Sequence, residues 1–468
     1  MEHNTPAQPP CDGIPPPRGK GAETSGKETR PALARGSLPL IGHSLQLMTG
    51  PLKFVTSLAA YGDIVEIRLG PLPVYVITRP DLVRSMLLDA HNFERGRLFA
   101  KLRSFLGHGL LTSPAPVHRR DRLFLQPVFN SEQIHRSATV MRGTAQSLSE
   151  SWRPGQIVRI DRAMYGLAMS TLARTLITKG FEPHNVGRLE RDIPTLVRGG
   201  MARTVLPDWW TKLPTLGNTR FQRARRSVDA TVSEIMTAYD GSADECDDLM
   251  SRLLALRDDD GNGLSLTQIR DHLVTFAIAG VETTGTMLAW VFHELGRHPQ
   301  ARELLHAELD AVLHGRPPEF EDLARLEYTN RVVNEVLRLH HGWIEIRRAK
   351  NTVRLGNVEV PAGRDIAYSP YGMQRDPRWF PDPESFEPDR WLPERAESIP
   401  QGAFIPFSVG ARKCIGDRFA VAEMILTIAV ICRRWKLNPV PGVRVREIPR
   451  AVAHPSRLPM VAELRLPA

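Results

Sequence analysis

The ten residues FSVGARKCIG, Phe407–Gly416, are the most informative stretch of this 468-residue chain. They place a single thiol, Cys414, in a loop that holds two glycines and two basic residues. Glycines let a backbone bend sharply and approach a flat ligand closely. Arg412, two residues before the cysteine, can pair with a carboxylate on such a ligand. The stretch therefore predicts a rigid loop that presents one sulfur atom to a bound group.

The run after this loop, DRFAVAEMILTIAVICRRW, is apolar at helical spacing, so Cys414 is predicted to lie at a helix N-terminus. The helix dipole favours a thiolate at that position, and nearby amides can donate to the sulfur. No histidine or second cysteine lies nearby in the sequence to complete a zinc tetrahedron. A metal held by this thiolate must bring its other ligands with it, as haem iron does.

The longest helix is predicted to begin at Ser265, which can form a capping box with Gln268, and to end before Pro299. A helix of about 30 residues spans about 45 Å, so it must cross the middle of the protein.

The centre of this helix, AGVETT at Ala279–Thr284, is unusual for a buried helix. Gly280 costs about 1 kcal/mol relative to alanine, and Glu282 places a carboxylate before two threonines. Residues that disfavour the structure in which they lie, as these do in a buried helix, are expected at functional sites. The alternative is that Gly280 permits close helix packing and that the threonines bond back to the preceding turn.

The rest of the chain predicts a mainly α fold with small β-sheets. The alternating segments DIVEIRLG (Asp63–Gly70) and PVYVIT (Pro73–Thr78) predict a β-hairpin, and NVEVPAGRDIAYSPY (Asn357–Tyr371) repeats the signal. Residues 1–35, rich in Pro, Gly and charge, predict a disordered tail. Residues 36–468 are expected to form a single catalytic domain, since no later linker divides them.

Composition narrows the class of protein. Hydrophobic residues make up 42% and charged residues 24%, as in soluble globular proteins. The net charge of +9, without a basic stripe interleaved with aromatics, favours an acidic protein partner over nucleic acid. The four cysteines are too few for a disulfide framework and fit a reducing cytoplasm. No run of about 18 uninterrupted apolar residues predicts a membrane span.

FSVGARKCIG resembles the Phe-x-x-Gly-x-Arg-x-Cys-x-Gly haem loop of the cytochrome P450 monooxygenases. The resemblance implies the cytochrome P450 fold, with haem b between the long central helix and the proximal cysteine loop. It makes Cys414 the iron ligand and Phe407, Arg412 and Gly416 haem contacts.

AGVETT is similar to the family's central-helix motif. The similarity implies that Glu282 and Thr283 help to deliver protons during activation of O2, and that Gly280 leaves room for O2 and a water.

EVLR and FEPDRW resemble the family's buried network, in which Glu335, Arg338 and Arg390 brace the haem loop. Its role is structural. This chain departs from many relatives in the residues that follow the EVLR helix, where it has His340, His341 and Gly342 in place of prolines.

VHRRDRLFLQPVF is similar to the helix that contacts the haem propionates in the family, which assigns that role to His118 and Arg122. Arg347 is expected to make a third propionate contact, and Arg348 is the alternative.

Family position also indicates the substrate pocket, lined by the loop 95–111, the stretch 196–210, the central helix and the segment near 343–346. The predicted lining residues are Leu98, Phe99, Leu106, Phe276, Ala279, Trp343 and Ile344. A mostly apolar lining suits a lipophilic substrate held by shape. General similarity to soluble bacterial members that oxidise terpenes suggests a sesquiterpene-like substrate of secondary metabolism. A fatty acid clamped by Arg97 or Arg203, a polyketide and a steroid are the alternatives.

The resemblance implies a separate reductant, because no flavin domain or Rossmann fingerprint is fused to this chain. Electrons from NAD(P)H are expected to arrive through a ferredoxin reductase and an acidic ferredoxin. The expected docking residues are Arg119, Arg120, Lys413 and Arg418. We expect a cytoplasmic monomer.

Three other activities fit parts of the sequence. A haem-thiolate peroxygenase would use hydrogen peroxide and would not need Glu282 and Thr283, and a haem sensor would need only Cys414. The acidic segments 244–250 and 258–263 are either solvated loops or a magnesium site for terpene diphosphate chemistry.

Overall fold

The computed structural model describes residues 30–465, apart from 181, 206–209, 212, 240–247, 258–259 and 451. Helices form most of the described chain. In chain order they are α1 Ser44–Thr49, α2 Pro51–Ser57, α3 Pro80–Leu88, α4 Arg97–Leu106, α5 Ala115–Leu125, α6 Ser131–Glu150, α7 Ile160–Leu176, α8 Pro183–Val205, α9 Leu216–Thr237, α10 Leu249–Ala255, α11 Leu266–Arg297, α12 Pro299–Leu313, α13 Glu327–Leu339, α14 Pro370–Met373, α15 Pro393–Ala396 and α16 Asp417–Arg434.

The strands are short and form small sheets. They are β1 Ala32–Leu33, β2 Ile64–Leu69, β3 Leu72–Ile77, β4 Phe93–Arg95, β5 Gln156–Arg159, β6 Glu345–Ala349, β7 Val353–Leu355, β8 Val358–Val360, β9 Asp365–Tyr368, β10 Trp435–Pro439, β11 Glu447–Pro449, β12 Ala453–Pro455 and β13 Pro459–Leu464. The largest sheet has the order β1-β2-β3-β9-β6-β4. The others are β10-β13-β5, β11-β12 and β7-β8. The prediction of a mainly α fold with small sheets is confirmed.

The first described strand corrects the expected tail boundary. Residues 1–29 lie outside the described residues, but β1 pairs in parallel with β2, with Ala32 opposite Val65. Ala34 is buried. The last residues of the predicted tail are therefore part of the sheet, because their backbone groups find partners along the edge of β2.

The first predicted hairpin is confirmed, and the second is wrong. β2 and β3 pair antiparallel from Ile64 opposite Ile77 to Leu69 opposite Leu72. In the later segment, β8 pairs with β7 and β9 pairs with β3 and β6. The two strands belong to different sheets but share one hydrophobic cluster. The alternation of apolar and polar residues in β8 and β9 therefore shows which side chains are buried, but not which strands pair.

Helix α11 crosses the centre of the protein. The capping box between Ser265 and Gln268 is present, as predicted. Within the described chain α11 is the one helix whose length and composition would allow a membrane span, but 78% of its most apolar window is buried inside the protein. It packs against α7, α9, α13 and α16.

Two glycines bring α11 close to α7. A Cβ at Gly285 would lie 3.0 Å from Tyr165 Cα, and one at Gly280 would lie 2.5 Å from Leu172 Cδ1. The close-packing interpretation of Gly280 is therefore the one with structural support, because its missing side chain makes room for Leu172.

Candidate active site

The cysteine loop is closed by its own backbone. The Cys414 N–H donates to Phe407 O at 2.9 Å, and the Lys413 N–H donates to Gly410 O at 3.0 Å. Gly410 has φ +74°, and a Cβ there would lie 2.4 Å from Leu87 O, so this position requires glycine. At Gly416, the N-cap of α16, a Cβ would meet only the Phe129 ring, at 3.5 Å or more. The protein around Gly416 therefore does not by itself demand glycine there.

The Cys414 side chain is exposed, yet its thiol is less acidic than the sequence suggested. Desolvation by the surrounding protein raises its pKa, and Asp417 adds to this effect. The Gly416 N–H and the charges of Arg122 and Lys413 oppose the rise without reversing it. The expectation that the helix terminus alone favours a thiolate is corrected: a coordinated metal would have to ionise the sulfur.

Positive charge is concentrated beside this loop. Arg412 donates to Ser113 O at 2.9 Å, while its Nη1 is buried and has no hydrogen-bond partner among the described residues. Desolvation, with the charges of Arg347, Arg103 and Arg122, lowers the pKa of Arg412 to about 10. A guanidinium in this state lacks a counterion.

Arg95 belongs to the same cluster. It ends β4 directly opposite Arg347 on β6, and like charges opposite each other on a sheet repel. Its Nε is buried and finds no hydrogen-bond partner in the described part of the chain, and its guanidinium lies 4.0 Å from the Phe99 ring centroid. Desolvation, with Arg347 and Arg412, lowers the pKa of Arg95 to about 9, and Glu345 opposes this only in part.

Two predicted residues of α5 border the cluster. Arg122 donates to Lys413 O at 2.5 Å and so ties α5 to the cysteine loop. His118 is buried, and desolvation with the charges of Arg412, Arg122 and Arg95 lowers its pKa to about 3. Its imidazole is therefore neutral at pH 7 and offers one N–H donor.

The structure separates Arg347 from Arg348. Arg347 is buried beside Arg95 and Arg412, and donates to Ile346 O at 3.0 Å and to Glu345 Oε2 at 3.3 Å. Arg348 donates to both carboxylate oxygens of Asp365, at 2.9 and 3.1 Å. Arg348 is thus already neutralised by two bonds to one carboxylate, whereas Arg347 has a single bond to Glu345 and lies beside two further cations, Arg95 and Arg412.

These observations define the group that would fit. Four arginines and a neutral histidine converge near one cysteine, and two of their buried nitrogen atoms lack partners. Buried guanidinium groups need carboxylates or phosphates as counterions. A flat ligand with two carboxylates and a metal that accepts sulfur matches this donor set, and haem has both.

The predicted catalytic pair lies at the centre of α11, with its side chains in different surroundings. Thr283 Oγ1 donates to Ala279 O at 2.6 Å, and Ala279 is exposed although most of the helix is buried. Glu282 is buried on another side, 3.4 Å from His454 Nε2 and 3.5 Å from Arg450 Nη1. Burial acts to raise the pKa of Glu282, but these two partners outweigh it, so its pKa lies below the ordinary value.

The predicted pocket residues fall into three groups. Leu98, Phe99, Leu106 and Phe276 belong to or pack against one hydrophobic cluster between α4, α8 and α11. Trp343 packs beside Val55, Tyr371 and Ala453, and Ile344 packs in the cluster around β2 and β3. Ala279 is the exposed member. Part of the stretch 196–210 lies outside the described residues. That these residues share one lining stays a prediction.

The buried network of the EVLR motif is present. Arg338 makes two bonds to Glu335, of 3.0 and 2.7 Å, and both side chains are fully buried. Arg390 Nε lies 3.3 Å from Glu335 Oε1, and Trp391 Nε1 donates to Glu335 Oε2 at 3.0 Å. Arg338 also donates to the carbonyls of Gln374, Pro383 and Ser385. The network fixes the segment 374–391 on α13.

The histidines that replace prolines after α13 are both engaged. His340 stacks on Trp290 with ring centroids 3.9 Å apart and bridges Glu294 and Glu447. His341 Nε2 bonds Pro406 O at 2.8 Å, so this segment holds the start of the cysteine loop.

Sequence reasoning missed three polar residues near the site. Arg95 was included only as the first residue of a pocket loop, and its charge before α4 is the one signal that could have identified it. Arg450 and His454 belong to no recognisable sequence motif. They lie next to Glu282 only because the segment of β11 and β12 packs against α11.

The remaining sequence predictions concern acidic clusters. Among the described residues no group of three or more His, Cys, Asp or Glu side chains could hold a metal ion. Asp248 instead caps α10 and accepts from Thr178 and Tyr239. Residues 240–247 and 258–259, which make up much of both acidic segments, lie outside the described residues.

Comparison with known proteins identifies the family. The family model "Cytochrome P450" matches residues 31–461. Cyclooctat-9-en-7-ol 5-monooxygenase of Streptomyces melanosporofaciens is 40% identical over 95% of this chain and 98% of its own. Cyclooctatin synthase of the same organism is 39% identical over 93% and 96%, and pentalenene oxygenase of Streptomyces avermitilis is 38% identical over 93% and 97%. The chain is therefore a cytochrome P450 monooxygenase, a member of the family whose haem and O2 chemistry the cysteine loop predicted.

Proposed function

We propose that this monooxygenase inserts one oxygen atom from O2 into a terpene, with electrons supplied by an acidic ferredoxin. The observation that carries the site assignment is the arginine cluster beside Cys414, in which Arg95 and Arg412 each have a buried nitrogen atom without a hydrogen-bond partner among the described residues. Haem, when bound, supplies the oxygen-activating chemistry. The residues of the chain hold it, exclude water and move protons.

Each residue of the cluster has a distinct role in holding haem. Cys414 is the iron ligand, and the loop bond from its N–H to Phe407 O fixes the sulfur. Arg412, Arg347 and Arg95 supply charge to the two propionates, and neutral His118 supplies a hydrogen-bond donor. Arg122 joins α5 to the loop, so that the propionate and sulfur sites form one unit.

Glu282 and Thr283 are proposed to deliver protons during O2 activation. Thr283 uses its own hydrogen to donate to Ala279 O, so its oxygen remains free to accept a bond from a water. Glu282 stays ionised at neutral pH because of His454 and Arg450, so it can accept a proton and pass it on.

The substrate proposal rests on lining chemistry and on relatives. The predicted lining residues on α4 and α11 sit in an apolar cluster, which suits an unsaturated hydrocarbon. Two similar proteins are named for oxidation of pentalenene and of cyclooctat-9-en-7-ol. We propose a terpene hydrocarbon or its simple alcohol as the substrate.

A fatty acid is less well supported. Arg97, one of the two possible carboxylate clamps, lies 3.5 Å from Asp365. Arg203, the other, donates to Asn218 Oδ1 at 2.7 Å and lies over the Phe221 ring. Both guanidinium groups already have partners, so neither is free to bind a fatty-acid carboxylate.

The ferredoxin is proposed to dock on α5 and the start of α16. Arg119, Lys413 and Arg418 are exposed there, and Arg120 is partly exposed. Leu123, on the same helix as Arg119, is 66% exposed and would give the contact an apolar element. Complementary charge of this kind mainly accelerates encounter. We expect the enzyme to act as a cytoplasmic monomer.

The first test is the optical spectrum of the dithionite-reduced protein under carbon monoxide. A red-shifted thiolate-type Soret band that is lost in Cys414→Ser would establish the sulfur ligand. Terpene hydrocarbons should then shift the spin state of the oxidised protein at micromolar concentration, while fatty acids and steroids should not. A spectrum unaffected by Cys414→Ser would overturn the site, and shifts with fatty acids alone would overturn the substrate proposal.

The docking proposal needs a charge-matched control. Arg119→Glu should slow reduction by an acidic ferredoxin several-fold at low salt, with the difference shrinking as ionic strength rises. Arg354→Glu, an exposed change of the same charge on β7, should leave the reduction rate within twofold of wild type. Equal effects of the two changes would show that net charge, not this surface, matters.

A further inference from the structure

The hairpin β11–β12 places two basic residues against Glu282. His454 on β12 lies with Nε2 3.4 Å from Glu282 Oε1, and Arg450 Nη1 lies 3.5 Å from the same oxygen. The hairpin is fixed to α11 by a bond of 2.6 Å from Trp290 Nε1 to Ala453 O. The position of His454 is therefore set by the fold and not by its ion pair alone.

The neighbouring hydroxyl determines which nitrogen of His454 carries hydrogen. Thr286 Oγ1 donates to Glu282 O at 2.6 Å, which uses its only hydrogen. Thr286 Oγ1 also lies 2.7 Å from His454 Nε2, so Nε2 must donate in that contact. The neutral imidazole is thus the Nε2–H tautomer, and no described residue hydrogen-bonds its Nδ1.

Two buried oxygen atoms at Glu282 and the nearby Tyr165 have unused hydrogen-bonding capacity. Glu282 Oε1 and Tyr165 OH are both buried and have no hydrogen-bond partner in the described part of the chain. They lie close enough to interact, since burial and the charges of Glu282 and Glu190 raise the pKa of Tyr165 while Arg198 and Arg450 oppose this. Two such oxygen atoms fit an intervening water.

We propose that His454 carries protons from solvent to Glu282, a role that rests on the proposed function of Glu282 and Thr283. The proton arrives at the free Nδ1, and the proton already on Nε2 leaves to the Glu282 carboxylate, directly or through the intervening water. The imidazole is then neutral with hydrogen on Nδ1, and rotation or exchange with solvent restores the first tautomer. No electrons move in this step.

The chemistry of the three groups around Glu282 explains why a histidine is needed. An arginine does not release its proton near neutral pH. Arg450 can therefore keep Glu282 ionised but cannot supply a proton to it. Tyr165 is disfavoured as a donor because its pKa is raised. Imidazole exchanges protons between pH 5 and 8 and can accept on one nitrogen while it donates from the other. His454 therefore acts through Glu282 as a positioning and proton-carrying residue.

The decisive variant is His454→Gln, because a glutamine amide can still donate to Thr286 and Glu282 but cannot carry a proton. We expect product formed per NAD(P)H consumed to fall about 3- to 10-fold, and to fall further between pH 6.5 and pH 8 than in wild type. His293→Gln changes another buried histidine of the same region, which does not contact Glu282, and should leave this ratio unchanged. Thr286→Val, which removes the acceptor of the Nε2–H, should reduce the product formed per NAD(P)H consumed about 2- to 3-fold. This variant replaces His454→Gln as the test if His454→Gln does not fold.

A second measurement does not depend on turnover. The 15N spectrum of the histidine-labelled, reduced, carbon monoxide-bound protein at pH 8 should contain a signal from a protonated Nε2 that disappears in His454→Gln. Full coupling in His454→Gln together with loss in Glu282→Gln would overturn the role of His454 and leave the proposed function intact. Full coupling in His454→Gln, Glu282→Gln and Thr283→Ala alike would overturn both. An Nδ1–H tautomer for His454 would also overturn the proposal.

Discussion

Replacing Arg95 with glutamine should have opposite effects on the haem-free protein and on haem retention. In the haem-free protein Arg95 is half-buried opposite Arg347, and its buried Nε has no hydrogen-bond partner among the described residues. Desolvation and neighbouring charge lower its pKa from the ordinary arginine value to about 9. At about 1.4 kcal/mol per pKa unit this amounts to at most about 5 kcal/mol of unfavourable charge burial, and to about 2 kcal/mol after relaxation and water penetration.

The substitution also removes a favourable contact. The Arg95 guanidinium lies 4.0 Å from the Phe99 ring centroid, an interaction worth about 0.5–1 kcal/mol. Subtraction leaves a net stabilisation of the haem-free protein by about 1–4 kcal/mol. With haem bound, loss of one charge-assisted bond to a propionate should cost about 1.5–3 kcal/mol. Haem should then leave about 10- to 150-fold faster.

The assay is transfer of haem from the oxidised enzyme to excess apomyoglobin, together with urea unfolding of the haem-free protein. Arg348→Gln is the matched control, because this neighbour of Arg347 is already paired with Asp365. Arg348→Gln should lower the stability of the haem-free protein slightly and leave the rate of haem transfer unchanged. Slower or unchanged haem loss in Arg95→Gln, combined with a less stable haem-free protein, would refute the argument and make Arg95 a structural residue.

Four further predictions follow from the same geometry. Glu335→Gln leaves the buried charges of Arg338 and Arg390 uncompensated and should lower the free energy of unfolding by about 3–5 kcal/mol in urea titrations, whereas Glu359→Gln, at the exposed position of β8, should change it by less than about 0.5 kcal/mol. His118 stays neutral in the fold down to a pKa of about 3 but protonates near 6.5 when unfolded, so acid favours unfolding of the haem-free protein. Because of this residue alone, the free energy of unfolding of the haem-free protein should fall by about 1.4 kcal/mol for each pH unit below about 6.5. If the free energy of unfolding depended on pH equally steeply in His118→Gln, the neutral state of His118 would be contradicted. Thr283→Ala should uncouple NAD(P)H oxidation from product several-fold without lowering thermal stability, because the lost bond to Ala279 O is exposed; unaltered coupling counts against the proton role. Gly280→Ala should destabilise the protein by at most about 2 kcal/mol in the same titrations, because overpacking against Leu172 outweighs a helix-propensity gain of about 1 kcal/mol, and the same change made in a Leu172→Ala background should no longer be destabilising.

Much of the site could be predicted because its signals are local. The order of glycine, arginine and cysteine in Phe407–Gly416 determines a tight loop, and helical periodicity places α16 directly after it. The capping box at Ser265 marks the start of α11 within one residue. These features depend on neighbours in the chain, so spacing alone reveals them.

Other outcomes depended on contacts that spacing does not encode. The acidity of Cys414 was misjudged because a helix terminus is visible in the sequence, whereas the desolvation that outweighs it is not. The hairpin predicted at 357–371 was wrong because strand alternation shows which side chains are buried but not which edges pair.

The sequence by itself determined the family, the cysteine loop and the unusual centre of the longest helix, since each is written in a short motif. Only the tertiary structure decided how the charges are compensated. Pairing of β4 with β6 sets Arg95 against Arg347, and the turn between β11 and β12 sets His454 against Glu282. The physical reason is that burial and the nearest charged partners set the protonation state and the energy of a charged group. Both arise only when distant segments of the chain pack together.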